Sequence, residues 1–214
     1  PSPHALKAYT NAADRIFRYP EQSGERLKRE IASLHHIQSE QILLGNGSDE
    51  ILSLLFRVYV GAADEVVLSQ NGFPLFSILT QAQGAKAVFA DEENLTTHVD
   101  HLLARVTPKT KMICIANPNN PTGTYISGSE VTRLCENTPS DVLIILDSAY
   151  AEYVDASDYK DGMALVERFP NVVMTRTFSK IYALAGLRLG WAYAHTDIVQ
   201  MIERVRLAFH VNSI

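Results

Sequence analysis

Residues 111–147 read KMICIANPNNPTGTYISGSEVTRLCENTPSDVLIILD, and they indicate the fold class more directly than any other stretch of the chain. Residues 111–116 and 142–146 are short apolar runs, which predict two buried strands. Between them lie a loop rich in Pro, Asn and Gly and a segment whose periodicity predicts a helix over 127–137. A strand, a helix and a second buried strand in succession are typical of a parallel sheet covered by helices.

The same alternation extends in both directions from this stretch. Leu27, Ile31 and Leu34 share one face of the first predicted helix, and Ser48 is placed to cap the second. No internal repeat or linker interrupts the pattern. We therefore expect an α/β fold with three α/β/α layers, a mainly parallel sheet and helices on both faces. The further helices are predicted over 24–36, 49–60, 73–83, 98–105, 163–169 and 197–207, and the further strands over 42–44, 66–68, 87–90, 172–175 and 189–194.

Composition and charge exclude several classes of function. The 214 residues carry 19 Lys and Arg against 24 Asp and Glu, a net charge of −5 without a basic block, so no nucleic-acid partner is expected. No apolar run approaches the roughly 18 residues of a membrane helix, so no membrane span is expected. The two cysteines, Cys114 and Cys135, are too few for a disulfide scaffold and favour a reducing compartment. Since no charged leader is visible at Pro1, the expected location is the cytoplasm.

Polar residues follow four of the predicted strands at the point where each strand ends. They are the segment 45–48 (Gly-Asn-Gly-Ser), the segment 117–123 (Asn-Pro-Asn-Asn-Pro-Thr-Gly), Asp147, and the pair Ser179 and Lys180. In an open α/β sheet the carboxyl ends of the strands carry the ligand site. The four clusters therefore predict one pocket.

Lys180 and Asp147 are the candidate reactive residues of this pocket. Most lysines are solvated surface charges, but a lysine in a partly desolvated cleft beside a hydroxyl can react with a carbonyl group. Asp147 is either a cap of the following turn or a buried carboxylate that requires a cationic partner, such as a protonated pyridine nitrogen. Tyr150 is either an ordinary half-buried tyrosine or a second contact to the same ring.

A second group of residues has the chemistry of an anion site. Ser48 and Asp49 open a predicted helix after a glycine-containing loop. Capping of the helix alone explains these residue types, and so does a phosphate bound to the free N–H groups of the first turn. Arg188 forms either a surface ion pair or a cationic contact to that phosphate. In the segment 117–123 a turn explains the prolines and the glycine, but not the paired asparagines, whose amides can donate to a phenolic oxygen.

Other chemical templates do not match. The glycine pattern at 45–50 lacks the last glycine of a dinucleotide fingerprint, and neither a Gly-x-x-x-x-Gly-Lys-Ser/Thr loop nor a Gly-x-Ser-x-Gly elbow occurs. His98 and His101 have no accompanying ligands at zinc-site spacing. We therefore expect surface histidines there and no metal site.

In their order and spacing, the polar motifs resemble those of the fold-type I aminotransferases of class I/II, which depend on pyridoxal phosphate. The resemblance extends over essentially all 214 residues. Within this superfamily the chain is most similar to the histidinol-phosphate aminotransferases, through residues 44–50, Arg18-Tyr19-Pro20 and residues 209–213. The superfamily motifs are Gly-Asn-Gly-Ser-Asp-Glu at 45–50, the segment 117–123, Asp147 with Tyr150, and Ser179-Lys180 with Arg188.

The resemblance implies how the ring of pyridoxal phosphate would be bound. Lys180 would anchor the cofactor covalently and carry the substrate proton, while Asp147 would bind the pyridinium nitrogen. Asn120 and Tyr150 would bind the phenolic oxygen. Phe73 would stack on the ring, at a position where relatives often carry Tyr.

The resemblance also implies a phosphate site and a dimer. The cofactor phosphate would accept from the N–H groups of Ser48 and Asp49, the hydroxyl of Ser179 and the guanidinium of Arg188. Tyr19 would reach the phosphate of the neighbouring subunit, so a homodimer with shared sites is implied.

The implied reaction is transamination in histidine biosynthesis. L-Histidinol phosphate and 2-oxoglutarate would interconvert with imidazole-acetol phosphate and L-glutamate, so the partners would be a small-molecule amino donor and a 2-oxo acid. Three alternatives remain open: an aromatic amino acid aminotransferase, a lyase similar to the threonine-phosphate decarboxylases, and a non-catalytic cofactor-binding domain.

The same resemblance divides the chain into two parts. Residues 1–36 would form an N-terminal segment and helix at the dimer interface, and residues 37–214 the cofactor-binding large domain. Relatives continue into a smaller C-terminal domain, which we expect to be absent from these 214 residues. We therefore expect this chain by itself to bind the cofactor and to transaminate poorly or not at all.

Overall fold

The computed structural model describes residues 1–213 and alternates strands with helices along most of that range. The strands are β1 (Ile42–Gly45), β2 (Glu65–Ser69), β3 (Lys86–Ala90), β4 (Glu92–Glu93), β5 (Thr96–Thr97), β6 (Thr110–Ala116), β7 (Leu143–Asp147), β8 (Val172–Thr177) and β9 (Gly190–Ala194). The helices are α1 (Pro3–Ala12), α2 (Glu25–His35), α3 (Ser48–Tyr59), α4 (Pro74–Ala82), α5 (Val99–Ala104), α6 (Gly128–Asn137), α7 (Met163–Arg168) and α8 (Thr196–Glu203).

Seven of these strands form one sheet in the order β1-β9-β8-β7-β6-β2-β3. The pairs from β3 to β8 are parallel, whereas β9 runs antiparallel to both β8 and β1. The predicted mainly parallel sheet is therefore confirmed. Because β9 is reversed, its first residue lies beside the last residues of its neighbours, so that Gly190 pairs with Thr177 and with Gly45.

Two apolar clusters cover the two faces of the sheet. Consecutive strand residues point to opposite faces, so that Ile144 packs in one cluster and Ile145 in the other. Buried residues of α2, α5, α6 and α7 join the first cluster, and those of α3, α4 and α8 join the second. The three-layer α/β/α arrangement is thus confirmed.

The structure differs from the sequence expectation at several elements. Helix α1 and the two-stranded β4–β5 hairpin were not predicted, and α8 ends at Glu203, four residues earlier than expected. On α2, Ile31 is buried, but Leu34 is 69% exposed. Apolar periodicity identifies a helix face, whereas burial also requires a neighbouring element that covers it.

Neither cysteine is paired. Cys114 and Cys135 are both buried free thiols, and burial raises the pKa of Cys135 to about 12 and that of Cys114 well above its ordinary value. Both thiols are therefore unreactive core groups. Within residues 1–213, no helix combines the length and the apolar character that crossing a membrane requires.

Candidate active site

A cavity of about 200 Å³ lies at the carboxyl edge of the sheet. The strand order reverses there, because β3 lies on one side of β2 and β6 on the other. Such a switch point is where open α/β sheets bind ligands. The predicted residues that line the cavity are Ser48, Asp49, Phe73, Asn120, Asp147, Tyr150, Ser179, Lys180 and Arg188.

Tyr19 is the predicted site residue that lies elsewhere. Its side chain is 81% exposed, and its ring packs against Phe209 with the ring centroids 4.8 Å apart. Both rings line a separate cleft. The contact predicted for Tyr19 is with a neighbouring subunit, so that role stays a prediction.

Asp147 is a buried carboxylate at the end of β7, only 5% exposed. Burial and, to a smaller extent, the nearby Asp49 carboxylate raise its pKa, which is about 6. The hydroxyl of Thr175, which donates to Oδ1 at 2.8 Å, and the charge of Lys180 act in the opposite direction. The desolvation cost exceeds these compensations, so the carboxylate is poised to accept a cationic hydrogen-bond donor.

Lys180 lies at the mouth of the cavity, after the carboxyl end of β8. Its Nζ is 5.2 Å from the centre of the Tyr150 ring, a cation–π contact. We expected a partly desolvated lysine, but Lys180 is exposed in this chain. Asp147 and Lys180 nevertheless line the same cavity, which the predicted site requires.

The start of α3 forms the anion-binding corner of the cavity. Ser48 is the first residue of this helix and Gly47 its N-cap, so the expected capping by Ser48 is wrong, and no side chain occupies the cap. The first-turn N–H groups are thus left without a capping side chain, as an anion site requires. Arg188 completes the corner, with Nη1 3.4 Å from the Ser179 hydroxyl and Nη2 3.5 Å from the Asp49 carboxylate.

Two glycines are needed for the backbone to pass this closely. Gly47 has φ +83°, and a Cβ there would lie 2.5 Å from Nη2 of Arg188. A Cβ on Gly190 would lie 2.3 Å from the backbone nitrogen of Ser48. The Arg188 guanidinium can move aside, so at Gly47 it is the positive φ that favours glycine. At Gly190 the contact is with backbone atoms, so glycine there keeps the α3 terminus against the start of β9.

The asparagines of the segment 117–123 have different tasks. The side chain of Asn117 bonds both backbone groups of Ile126, and the amide of Asn119 donates to the Asn71 carbonyl at 3.0 Å. Both are buried and hold the loop in shape. Asn120 lines the cavity, as predicted.

Sequence reasoning missed two threonines of β8. Thr175 pairs in register with Asp147 and donates to it, while the Thr177 hydroxyl lines the cavity and accepts from the Ser179 N–H at 3.1 Å. Their spacing of two places both on one face of the strand. Two polar residues alternating at the end of an apolar strand were the signal available in the sequence.

His98 and His101 also differ from expectation. The carboxylate of Glu93 faces both imidazoles, so an accompanying ligand is present after all. This group lies outside the cavity lining.

The family model described as "Aminotransferase class I and II" matches residues 1–214. The chain belongs to the class I and II aminotransferases. The nine predicted residues that line the cavity thus lie in a chain whose whole length matches this family.

Two individual relatives of this chain are histidinol-phosphate aminotransferases. A histidinol-phosphate aminotransferase of Rhodopseudomonas palustris (strain TIE-1) is 49% identical over 212 residues, which is 99% of this chain and 58% of that protein. One from Rhodospirillum centenum is 48% identical over 212 residues, 99% of this chain and 59% of that protein. The chain thus spans less than two thirds of the length of these aminotransferase relatives.

A solved structure of an aminotransferase agrees with the fold. The crystal structure of histidinol-phosphate aminotransferase from Sinorhizobium meliloti in complex with pyridoxal-5'-phosphate superposes with a TM-score of 0.95 at 29% identity. The match covers 100% of this chain and 58% of that chain.

Proposed function

We propose that this chain is the cofactor-binding part of a pyridoxal-phosphate-dependent histidinol-phosphate aminotransferase. Residues 37–214 would form the large domain and residues 1–36 the segment at a dimer interface. The observation that carries the proposal is the convergence of Lys180, the buried Asp147 and the uncapped α3 terminus on one cavity.

The residues of the cavity fit this cofactor at both of its ends. Asp147 is a buried acceptor without a cationic hydrogen-bond donor among the described residues, and a protonated pyridine nitrogen supplies one. At the other end, Ser179, Arg188 and the first turn of α3 form a site for a phosphate dianion. Phe73 would stack on the ring, and Asn120 with Tyr150 would bind its phenolic oxygen.

The chemistry divides between cofactor and chain. When bound, pyridoxal phosphate supplies an electron sink for the carbanion formed at the α carbon of an amine substrate. Lys180 would anchor the cofactor and then act as the base that removes the α proton. Asp147 would hold the proton on the ring nitrogen, and its burial makes that ion pair strong because little water competes for it.

We propose the substrates, the assembly and the location on the resemblance to the histidinol-phosphate aminotransferases. The amino donor and acceptor pair would be L-glutamate with imidazole-acetol phosphate, giving 2-oxoglutarate and L-histidinol phosphate. The assembly would be a homodimer in which the exposed Tyr19 reaches the neighbouring phosphate. A reducing, cytoplasmic location agrees with two buried free thiols.

Borohydride reduction tests the cofactor and its anchor together. The purified chain is incubated with pyridoxal phosphate, reduced, digested and analysed by mass spectrometry, and we expect the adduct on the peptide that contains Lys180. Lys180→Ala removes the adduct, whereas Lys160→Ala, which lines a different cleft, retains it. An adduct on another lysine, or none on the folded chain, contradicts the proposal.

A single-turnover assay tests the reaction itself. Mixing the cofactor-loaded chain with L-histidinol phosphate is expected to change the visible absorbance only slowly as the amino group passes to the cofactor, because these 214 residues by themselves are expected to transaminate poorly. L-Phenylalanine serves as the competing aromatic substrate. Release of carbon dioxide from L-threonine phosphate, without amino transfer, would instead support a lyase.

A further inference from the structure

The β4–β5 hairpin and the start of α5 bring one carboxylate and two imidazoles together. Glu93 ends β4, His98 precedes α5, and His101 lies in its first turn. Oε1 of Glu93 is 3.7 Å from Nε2 of His98 and 4.0 Å from Nε2 of His101. One ligand atom from each residue lies within 4.8 Å of the other two, and no other group of three or more His, Cys, Asp or Glu residues among residues 1–213 meets this criterion.

The hydrogen bond of His101 defines which of its ring nitrogens is free. Nδ1 lies 2.9 Å from the backbone carbonyl oxygen of Asp91. A carbonyl oxygen only accepts, so Nδ1 carries the proton, and Nε2 of the neutral ring presents a lone pair on the side of Glu93. Metal-ligating histidines are oriented in this way, by donating their other ring nitrogen to a carbonyl or carboxylate.

His98 lacks the hydrogen bonds that its position calls for. Its ring lies against that of His101, with the centroids 4.4 Å apart. Nδ1 is buried and has no hydrogen-bond partner within the described part of the chain. The 3.7 Å from Nε2 to Glu93 is too long for a hydrogen bond.

The neighbouring charged groups leave the Glu93 carboxylate available to bind a cation. The neighbouring carboxylates already have guanidinium partners, since Asp91 lies 3.3 Å from Arg105 and Asp100 pairs with Arg133. Among residues 1–213, the two imidazoles are the only basic side chains within 4.0 Å of the Glu93 carboxylate, and each would form an ion pair with it only if protonated. A lone pair and a carboxylate oxygen that face one another repel, and a cation between them removes the repulsion.

We propose that Glu93, His98 and His101 bind one divalent transition-metal ion, for which Zn²⁺ is the best match. Two imidazoles and one carboxylate form a zinc ligand set that leaves a fourth position to water. Tetrahedral zinc holds its ligand atoms about 3.3 Å apart, so the two distances from Glu93 must contract by about 0.4 and 0.7 Å. Rotation of the Glu93 side chain, which is 61% exposed, allows this.

Bound metal would join the hairpin to α5. The hairpin is also tied to the loop that follows β6, because the Thr124 hydroxyl donates to the Leu95 carbonyl at 2.7 Å. The metal site nevertheless shares no residue with the cavity lining. A test of the metal site therefore does not depend on whether the proposed cofactor binds.

Zinc titration of the full, metal-stripped chain tests the proposal. Competition with a chromogenic chelator is run with and without pyridoxal phosphate, and saturation at one equivalent is expected. Glu93→Gln and His101→Gln should each weaken Zn²⁺ binding by about tenfold or more. His195→Gln is the matched control, because His195 has a carboxylate 3.5 Å away at Asp197 but no second imidazole, and it should leave the affinity unchanged.

Cobalt substitution provides a test that needs no variant. The unaltered chain with one equivalent of Co²⁺ should show the intense visible bands of a tetrahedral ion, and Zn²⁺ should displace them. Circular dichroism checks that each variant is folded. Zinc affinity equal in all variants, or only the weak spectrum of hydrated Co²⁺, overturns the proposal.

Discussion

At the candidate site, burial shifts the pKa of Asp147 far from its ordinary value. A carboxylate that is 5% exposed loses most of its hydration, and the Thr175 hydroxyl replaces only part of it. Its pKa of about 6 measures the deficit. A ligand that brings a cationic N–H to this carboxylate regains that energy, which links the buried acid to the proposed cofactor.

The raised pKa predicts a stability that depends on pH. Since the pKa of Asp147 rises from 3.8 in the unfolded chain to about 6 in the fold, the folded cofactor-free chain binds more protons between these values. Its contribution is fully present below pH 3.8 and is lost as pH rises through about 6, a change of about 3 kcal/mol. Urea unfolding at pH 4 and pH 7 measures it.

Two variants isolate the contribution of Asp147 from other titrating groups. Asp147→Asn should remove this part of the dependence of the unfolding free energy on pH. Asp155→Asn, at an exposed carboxylate, should leave that dependence unchanged. An unchanged profile in Asp147→Asn would show that the pKa of this carboxyl does not change on folding.

Arg188 gives a second prediction for a single residue. Its guanidinium contacts Ser179 and Asp49, and the Asp49 pair is exposed, so that ion pair contributes little by itself. Arg188→Gln should therefore weaken pyridoxal phosphate binding by about tenfold or more with little loss of stability. Equilibrium dialysis measures the affinity, and Arg168→Gln, which breaks an exposed ion pair with Glu136, should not change it.

Among the elements, α3 and β9 together form the anion corner. The antiparallel direction of β9 places its first residue against the first turn of α3, and Gly190 leaves the space for that contact. Arg188 comes two residues before this contact, so the same reversal delivers the guanidinium to the helix terminus. The corner therefore depends on the position of two backbones rather than on long side chains.

Gly190→Ala tests this dependence. The added methyl would meet the Ser48 nitrogen at 2.3 Å, and backbone atoms cannot rotate away as a side chain can. We expect a loss of about 1–3 kcal/mol in unfolding free energy together with weaker cofactor binding. Gly186→Ala is the matched control, because a Cβ there meets nothing within 4 Å. Thermal unfolding and dialysis report the two effects, and equal behaviour of both variants would contradict the interpretation.

At the scale of the whole molecule, the two apolar clusters hold the sheet rigid beneath the cavity. Leu55 of α3 is completely buried in the cluster shared with α4 and α8, whereas Leu34 of α2 is 69% exposed. Replacing leucine by alanine at each of these two positions therefore measures how burial affects the free energy of unfolding.

Leu55→Ala should lower the free energy of unfolding by about 2–5 kcal/mol, because the removed methyl groups leave a cavity in a closely packed core. Leu34→Ala should change it by less than about 0.5 kcal/mol. Urea denaturation at one pH measures both. A large loss for Leu34→Ala would mean that another part of the protein covers this face.

Local patterns in the sequence determined the order of most strands and helices and the chemical type of most site residues. Buried strands such as β7 read as uninterrupted apolar runs because helices cover both faces of a parallel sheet. The motifs at the strand ends identified Lys180, Asp147 and Arg188, since the carboxyl edge of such a sheet is where loops meet. These features need only neighbouring residues to specify them.

Only the tertiary structure decided which distant residues meet. The reversal of β9 and the bond from Thr175 to Asp147 join separate segments, and strand direction sets them. The approach of Glu93 to the two imidazoles is set by the β4–β5 hairpin and the start of α5. Apolar periodicity also could not show that Leu34 stays uncovered. Burial and pairing depend on the summed packing of the whole chain, whereas periodicity reports the preference of one segment alone.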